Sequence, residues 1–184
     1  WLMPITESPS YHGYDVVDYY AVERDYGDVA ALKALIDAAH ERGMVVVIDL
    51  VINHTSSEHP WFQAAVDPSS DKRSWYVWSD DNPGYLGPWG QTVWYPRGDD
   101  YYYAIFWSGM PDLDFRNPDV MAEAQRIAGA IPGCECRIME MTGHGSIFFR
   151  PDLFVSSFLV KQGEGNRGCS RLGHRGEIRL YCLA

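Results

Sequence analysis

The chain has 184 residues, of which 46% are hydrophobic and 22% charged, which is enough length and apolar content for a globular unit with a real core. Its formal net charge of -10 excludes nucleic acid as a partner, because phosphate affinity rests on clustered Lys and Arg. The aliphatic run Met44–Ile48 falls far short of the roughly 20 residues that span a bilayer, so no membrane segment is read here. No charged-then-apolar leader is visible either; a signal peptide is expected only upstream of Trp1, and the location stays unread, cytoplasmic or secreted.

Taken in chain order, Trp1–Ile5 is a short apolar run closed by Pro4, the end of a buried strand, and a loop rich in Ser, Pro, Gly and Tyr comes after it. From Asp28 the pattern becomes helical. Asp28 is placed to cap, Val29, Leu32, Leu35 and Ile36 repeat at helical spacing, and Gly43 is the C-terminal stop. Met44–Val51 then lacks polar alternation and is rich in β-branched residues, as a parallel strand covered on both faces should be. Strand, helix and buried strand imply a parallel sheet, either doubly wound or closed into a barrel, and pattern alone leaves both open.

From Asn53 to Asp114 both periods give way to aromatic residues punctuated by Pro and Gly. That is far longer than the ~2 to 6 residues of an ordinary βα connection, so an inserted subdomain is expected. Asn117-Pro118-Asp119 starts a further helix with Val120, Met121, Ala124, Ile127 and Ala128 as its apolar face. The composition changes near Ala128: all seven tryptophans precede residue 108, and all four cysteines come after residue 133. Residues 129–184 hold short apolar runs, Ile147–Phe149 and Leu153–Val160, but no persistent period. Cys134 and Cys136 are one residue apart with no matching second pair, which argues against a zinc site.

Polar groups at the carboxyl end of a buried parallel strand are where α/β enzymes place their chemistry. Asp49, Asn53 and His54 stand there. A carboxylate inside an apolar strand requires a cation or several donors, most simply an arginine. A structural ion pair with a capping Asn and a satisfied His explains the same residues equally well. Trp75, Tyr76, Trp78, Trp89, Trp94, Tyr95 and Tyr101–Tyr103 suit sugar rings and also suit a small core; core is the default for most, with one or two reaching a cleft.

The string Asp49-Leu50-Val51-Ile52-Asn53-His54 resembles Asp-x-Val-x-Asn-His at the end of the third barrel strand in the α-amylase family of glycoside hydrolases. Trp1–Ile5 with His12-Gly13-Tyr14-Asp15 resembles that family's second strand and its loop, and Met110–Asp114 resembles the motif closing its inserted domain. The resemblance implies an α/β fold: a partial (β/α)8 TIM barrel with an irregular domain B inserted after the third strand. On that plan residues 1–52 are barrel strands two and three with their helix, 53–114 domain B, 115–128 the third helix, and 129–184 a tail read as an out-of-frame or foreign extension.

The resemblance also implies roles. Asp49 orients the family's catalytic arginine, His54 hydrogen-bonds the sugar preceding the scissile bond, and Tyr14 is that sugar's stacking platform. Asn53 and Asp112 match positions that bind a structural calcium in many members. Retaining hydrolysis needs a nucleophile and an acid/base carboxylate about 5 Å apart, and neither is recognisable, since no Gly-Phe-Arg-x-Asp string occurs in residues 129–184. The chain by itself is therefore expected to be inactive.

Trimming α-glucosidases of the family carry an Asp where this chain has Tyr11. That favours an α-amylase-type enzyme acting on α-1,4-glucans, with starch or maltooligosaccharides as substrate. The alternative is a transglycosylase such as a trehalose synthase, or an α-glucosidase. A non-catalytic amylase-like protein is the second alternative, and retention of Tyr14 and His54 argues against it.

Overall fold

A computed structural model of the chain describes residues 1–130 and the backbone of residues 178–183. The expectations that concern residues 131–177, Cys134 and Cys136 among them, lie outside the described residues.

The predicted strand–helix–strand unit is present, and its punctuation works as the residue types require. The Asp28 carboxylate accepts the Ala31 N–H at 2.8 Å, α1 runs over Val29–Glu41, and Gly43 leaves it with φ of +71°, a conformation that glycine adopts without strain. β3 then spans Val46–Val51. The strand starts later than Met44 because Met44 and Val45 are both more than half exposed.

Along one edge of β3, among the described residues, only Leu2 pairs, in a parallel bridge to Ile48. Its N–H donates to Val47 O at 2.7 Å and its carbonyl accepts from Asp49 N at 3.1 Å. The buried strand expected over Trp1–Ile5 is thus reduced to a single bridge, with Trp1 and Met3 exposed. Along the other edge β3 pairs in parallel with β7, Ile178–Leu183, in register from Val46↔Ile178 to Val51↔Leu183. This strand lies in a stretch where periodicity shows no repeat element. Paired along its whole length with β7 and bridged by Leu2 on the other side, β3 is the base of the polar cluster at its carboxyl end.

No residue of α1 is buried. Ile36 and Ala39 lean on Val46 and Ile48, whereas Val29 and Leu35 of the predicted apolar face lie more than half exposed. The later helix, α3 (Pro118–Gly129), matches its prediction better: the Asn117 side chain accepts the Asp119 N–H, Pro118 opens the first turn, and Val120, Ala124, Ile127 and Ala128 are buried. Met121 is only half-buried, and the buried set takes in Glu123 instead. That carboxylate is tolerated because it accepts from the Tyr20 hydroxyl at 3.0 Å and pairs with Arg126.

Two cores result. In the first, α3 packs Ala124, Ile127 and Ala128 against Leu50, Val51 and Ile52 of the β3 segment and against Val16 and Tyr19. Tyr19 belongs to β2 (Asp18–Val22), which pairs antiparallel with β1 (Thr6–Glu7). In the second, Phe62 of α2 (Pro60–Ala65) packs among Trp75, Tyr76 and Tyr102. A three-stranded antiparallel sheet covers it, β4 (Trp78–Ser79), β5 (Trp94–Arg97) and β6 (Asp100–Tyr103), in the order β4-β6-β5. Most of the aromatic residues in the insertion are therefore core: Trp75, Tyr76, Trp94 and Tyr102 are buried, and Trp78, Tyr95, Tyr101 and Tyr103 half-buried. Trp61 and Phe115 pack against both cores at once.

Candidate functional site

At the carboxyl end of β3 the structure brings together Tyr14, Asp49, Asn53, His54 and Asp112. The loop that carries Tyr14 is held from beneath by Asp15, which is buried and accepts from Ser8 Oγ at 2.7 Å and from Ser10 Oγ. His12 Nδ1 accepts the Tyr14 N–H at 3.1 Å. Gly13 lets the loop press onto Pro4: its φ is +76°, and a Cβ there would lie 2.9 Å from the Pro4 carbonyl oxygen. Gly13→Ala is accordingly expected to lower stability by about 1 to 2 kcal/mol, from the left-handed backbone and the collision together. Urea unfolding checks this, and an unchanged midpoint would show that the loop is not pressed against Pro4.

The Tyr14 hydroxyl donates to Asp49 Oδ2 at 3.1 Å. Asp49 Oδ1 is buried and has no hydrogen-bond partner among the described residues. Burial raises the Asp49 pKa, and the Tyr14 bond works against that rise. Burial, then the charge of Asp49, raise the Tyr14 pKa in turn, so the phenol stays protonated and remains a donor. An acceptor-only oxygen sealed from water is the kind of group that a guanidinium or ammonium satisfies.

His54 lies one layer deeper, only 1% exposed. Its Nε2 is 3.1 Å from the Tyr14 carbonyl oxygen. A carbonyl accepts only, so Nε2 carries the proton and Nδ1 is left to accept from Asn53 Nδ2 at 3.3 Å. The ring meets Phe106 edge to face at 5.3 Å. Phe106 is a neighbour that sequence reading did not single out, since nothing in the apolar run around it sets it apart. Of the two predicted sugar contacts, Tyr14 is half-buried, and His54 is fully buried against the Tyr14 backbone, out of reach of a ligand.

The Met110–Asp114 segment returns alongside this layer. His54 and Asp112 form an antiparallel bridge, the Leu113 N–H donates to Asn53 O at 2.9 Å, and the Thr55 N–H to Pro111 O at 3.2 Å. Asp112 is buried with both oxygens occupied: Oδ2 accepts from Asn53 Nδ2 at 3.2 Å and Oδ1 from the Ile105 N–H at 3.0 Å. Burial pushes its pKa up to about 7, against those two bonds. Asn53 and Asp112 were the pair expected to hold calcium. A hard cation takes ~6 to 8 oxygens, and no group of three or more His, Cys, Asp or Glu surrounds this pair among the described residues. Among the described residues this pair alone supplies fewer oxygens than such an ion takes, and no step of the proposed chemistry runs through one.

Elsewhere, His59 caps α2, its Nδ1 accepting the Trp61 N–H at 3.0 Å. Burial lowers its pKa to about 4, so it stays neutral and structural. An open groove of about 440 Å³ within the insertion is lined by Asp71, Arg73, Trp78 and Arg116, and none of the β3 cluster reaches it.

The chain is similar to known proteins. Residues 1–131 match the family described as "Alpha amylase, catalytic domain". The chain is 48% identical over 129 residues to "Alpha-amylase 3" of Dictyoglomus thermophilum, covering 70% of this chain and 25% of that protein. It is 42% identical over 169 residues to the trehalose synthase of Thermus thermophilus, covering 87% and 15%. Among solved structures, an α-amylase from H. orenii aligns with a TM-score of 0.69 and 37% identity over 99% of this chain and 37% of that one. The chain spans about a quarter or less of the length of the two relatives.

Proposed function

Because this chain belongs to the α-amylase family, whose catalytic-domain profile covers residues 1–131, we propose that it supplies one side of an α-glucan-binding cleft in an enzyme that cleaves or transfers α-1,4-linked glucose. The observation that carries the reading is the Asp49 carboxylate. It is buried at the carboxyl end of a parallel strand, held by Tyr14 on one oxygen and bare on the other among the described residues. A purely structural carboxylate would have both oxygens satisfied. One left open fits a residue that awaits the cation of a reacting centre.

In this reading β3 and the Leu2 segment are neighbouring strands of a (β/α)8 barrel and residues 53–114 are its domain B. A glucose ring stacks on the half-exposed face of Tyr14. His54 lies beneath that platform and sets its position, Nε2–H held by the Tyr14 carbonyl and Nδ1 by Asn53. Asp49 fixes the Tyr14 phenol and receives an arginine. Starch or maltooligosaccharides are the proposed substrates. The nucleophile and acid/base carboxylates of a retaining mechanism are not recognisable in this chain, so it binds without turning over. The likeness to a trehalose synthase favours a second reading, transfer instead of hydrolysis, which changes only what attacks the glycosyl intermediate.

Calorimetric titration of the chain with maltoheptaose tests this. Binding without release of reducing sugar is expected, weakened about tenfold by Tyr14→Ala, which removes an aromatic platform worth roughly 1 to 1.5 kcal/mol. A flat titration of folded chain would sink the binding reading, and sugar release from starch would sink the inactivity.

A further inference from the structure

We infer that His12 is a positioning residue of this site, its Nδ1 holding the Tyr14 backbone so that the phenol ring keeps one orientation; the inference rests on the cleft proposed above. Tyr14 lies in the loop between β1 and β2, where no regular element fixes it. It also directly follows Gly13, a residue type whose backbone resists turning least. Its orientation therefore has to come from side-chain partners.

Three of them clamp it. Asp49 Oδ2 accepts from the Tyr14 hydroxyl at 3.1 Å, His54 Nε2 donates to the Tyr14 carbonyl at 3.1 Å, and His12 Nδ1 accepts from the Tyr14 backbone N–H at 3.1 Å. The first two partners both stand on β3 or just beyond its end. Two fixed points leave a body free to turn about the line that joins them, and here that rotation would swing the face of the phenol ring. His12 adds a third point from the side of the loop and removes the freedom. A platform oriented before its ligand arrives lowers the ordering cost of binding.

The imidazole is itself braced. An N–H can only donate, so Nδ1 is bare and the proton of the neutral ring sits on Nε2. Ser10 Oγ lies 3.0 Å from the same Nδ1 and donates to the buried Asp15 carboxylate, which Ser8 Oγ also reaches at 2.7 Å. The Ser8 N–H in turn donates to Glu23 Oε2 at 2.9 Å, which ties this floor to the far end of β2. The His12 ring meets Tyr11 edge to face at 5.5 Å and Tyr14 at 6.0 Å. With 30% of its side chain exposed it fills no core, so the acceptor is the larger part of what it supplies.

Maltoheptaose is titrated by calorimetry into the full chain and into His12→Ala, His12→Phe and His12→Asn, and His12→Ala is repeated in a Tyr14→Ala background. Phenylalanine keeps the ring contacts without the acceptor. Asparagine keeps an acceptor, because its side-chain oxygen reaches the N–H two residues on. His12→Ala and His12→Phe are expected to weaken binding about threefold to tenfold, the loss of one neutral hydrogen bond, and His12→Asn less than about twofold. The Tyr14 amide proton resonance should move upfield in the first two and stay downfield in the third. In the Tyr14→Ala background His12→Ala should change nothing further, since its effect passes through the ring. Binding by the unsubstituted chain that His12→Ala leaves unchanged, or that His12→Phe preserves as well as His12→Asn does, would overturn this inference alone. A full further loss in the Tyr14→Ala background would also overturn it, by showing that His12 does not act through Tyr14. Binding by none of the proteins would overturn it together with the cleft reading.

Discussion

Asp112→Asn is expected to stabilise the chain by about 2 to 4 kcal/mol at pH 8 and by well under 1 kcal/mol at pH 4. The Asp112 carboxyl has its pKa pushed up to about 7 by burial, against roughly 4 in an unfolded chain. Below the unfolded value the group is protonated in both states and carries no penalty. As pH rises from about 4 to 7 the unfolded chain gives up the proton while the folded chain keeps it, and stability falls. Above 7 the buried charge is present in full, softened by the Ile105 and Asn53 donors. Asparagine removes the charge and keeps an acceptor for Ile105. Urea unfolding across this range measures the effect; a pH-independent difference would show that Asp112 is hydrated rather than buried. Because the donors around Asp112 fall short of a cation site, excess calcium should leave the pH 8 midpoint unchanged. A rise that Asp112→Asn abolishes would restore the ion.

Phe62→Ala is expected to lower stability by about 3 to 5 kcal/mol, the usual range for emptying an aromatic site in a packed core. Phe62 is 1% exposed. It meets Tyr76 edge to face at 5.0 Å and Tyr102 at 4.9 Å, and lies parallel to Trp78 at 5.7 Å. Truncation removes the one ring that all three contact, and they cannot close the gap without breaking the β4-β6 pairing of Trp78 with Tyr102. The loss is a large part of the stability of any small domain. Near-ultraviolet circular dichroism should report loosened aromatic packing, and urea unfolding the lost stability. A cost under about 1 kcal/mol would mean that the ring stack is not packed as a core.

Helix caps were legible because they depend on local chemistry. Asp28, Gly43, Asn117 and Pro118 act through their own backbone geometry, so their neighbours far along the chain do not matter. The cluster of Asp49, Asn53 and His54 was legible for a similar reason, being polar groups at the end of an apolar strand. Its aromatic surroundings were not. Phe106 and Trp89 are ordinary aromatic residues in an aromatic segment, and only the folded chain shows that one is half-buried against His54 and the other exposed. Nor does the helical spacing of Val29 and Leu35 reveal that they stay exposed, because burial depends on what packs against α1 and not on α1 itself. The strand Ile178–Leu183 owes its place to pairing with β3, a long-range contact that its own short sequence does not announce.

Trp61 and Phe115 pack against both cores, and that shared packing bears on the cleft itself. One wall of the proposed cleft, with Tyr14, is mounted on the core around β3, and the inserted segment on the aromatic one. The gap between them is then set by the thickness of two side chains wedged where the cores meet, since close-packed interiors shift by whole atomic radii or not at all. Residues that never touch a ligand thus act as the gauge of the opening, and cleft width becomes a quantity that sequence drift can adjust from the inside, one methylene at a time.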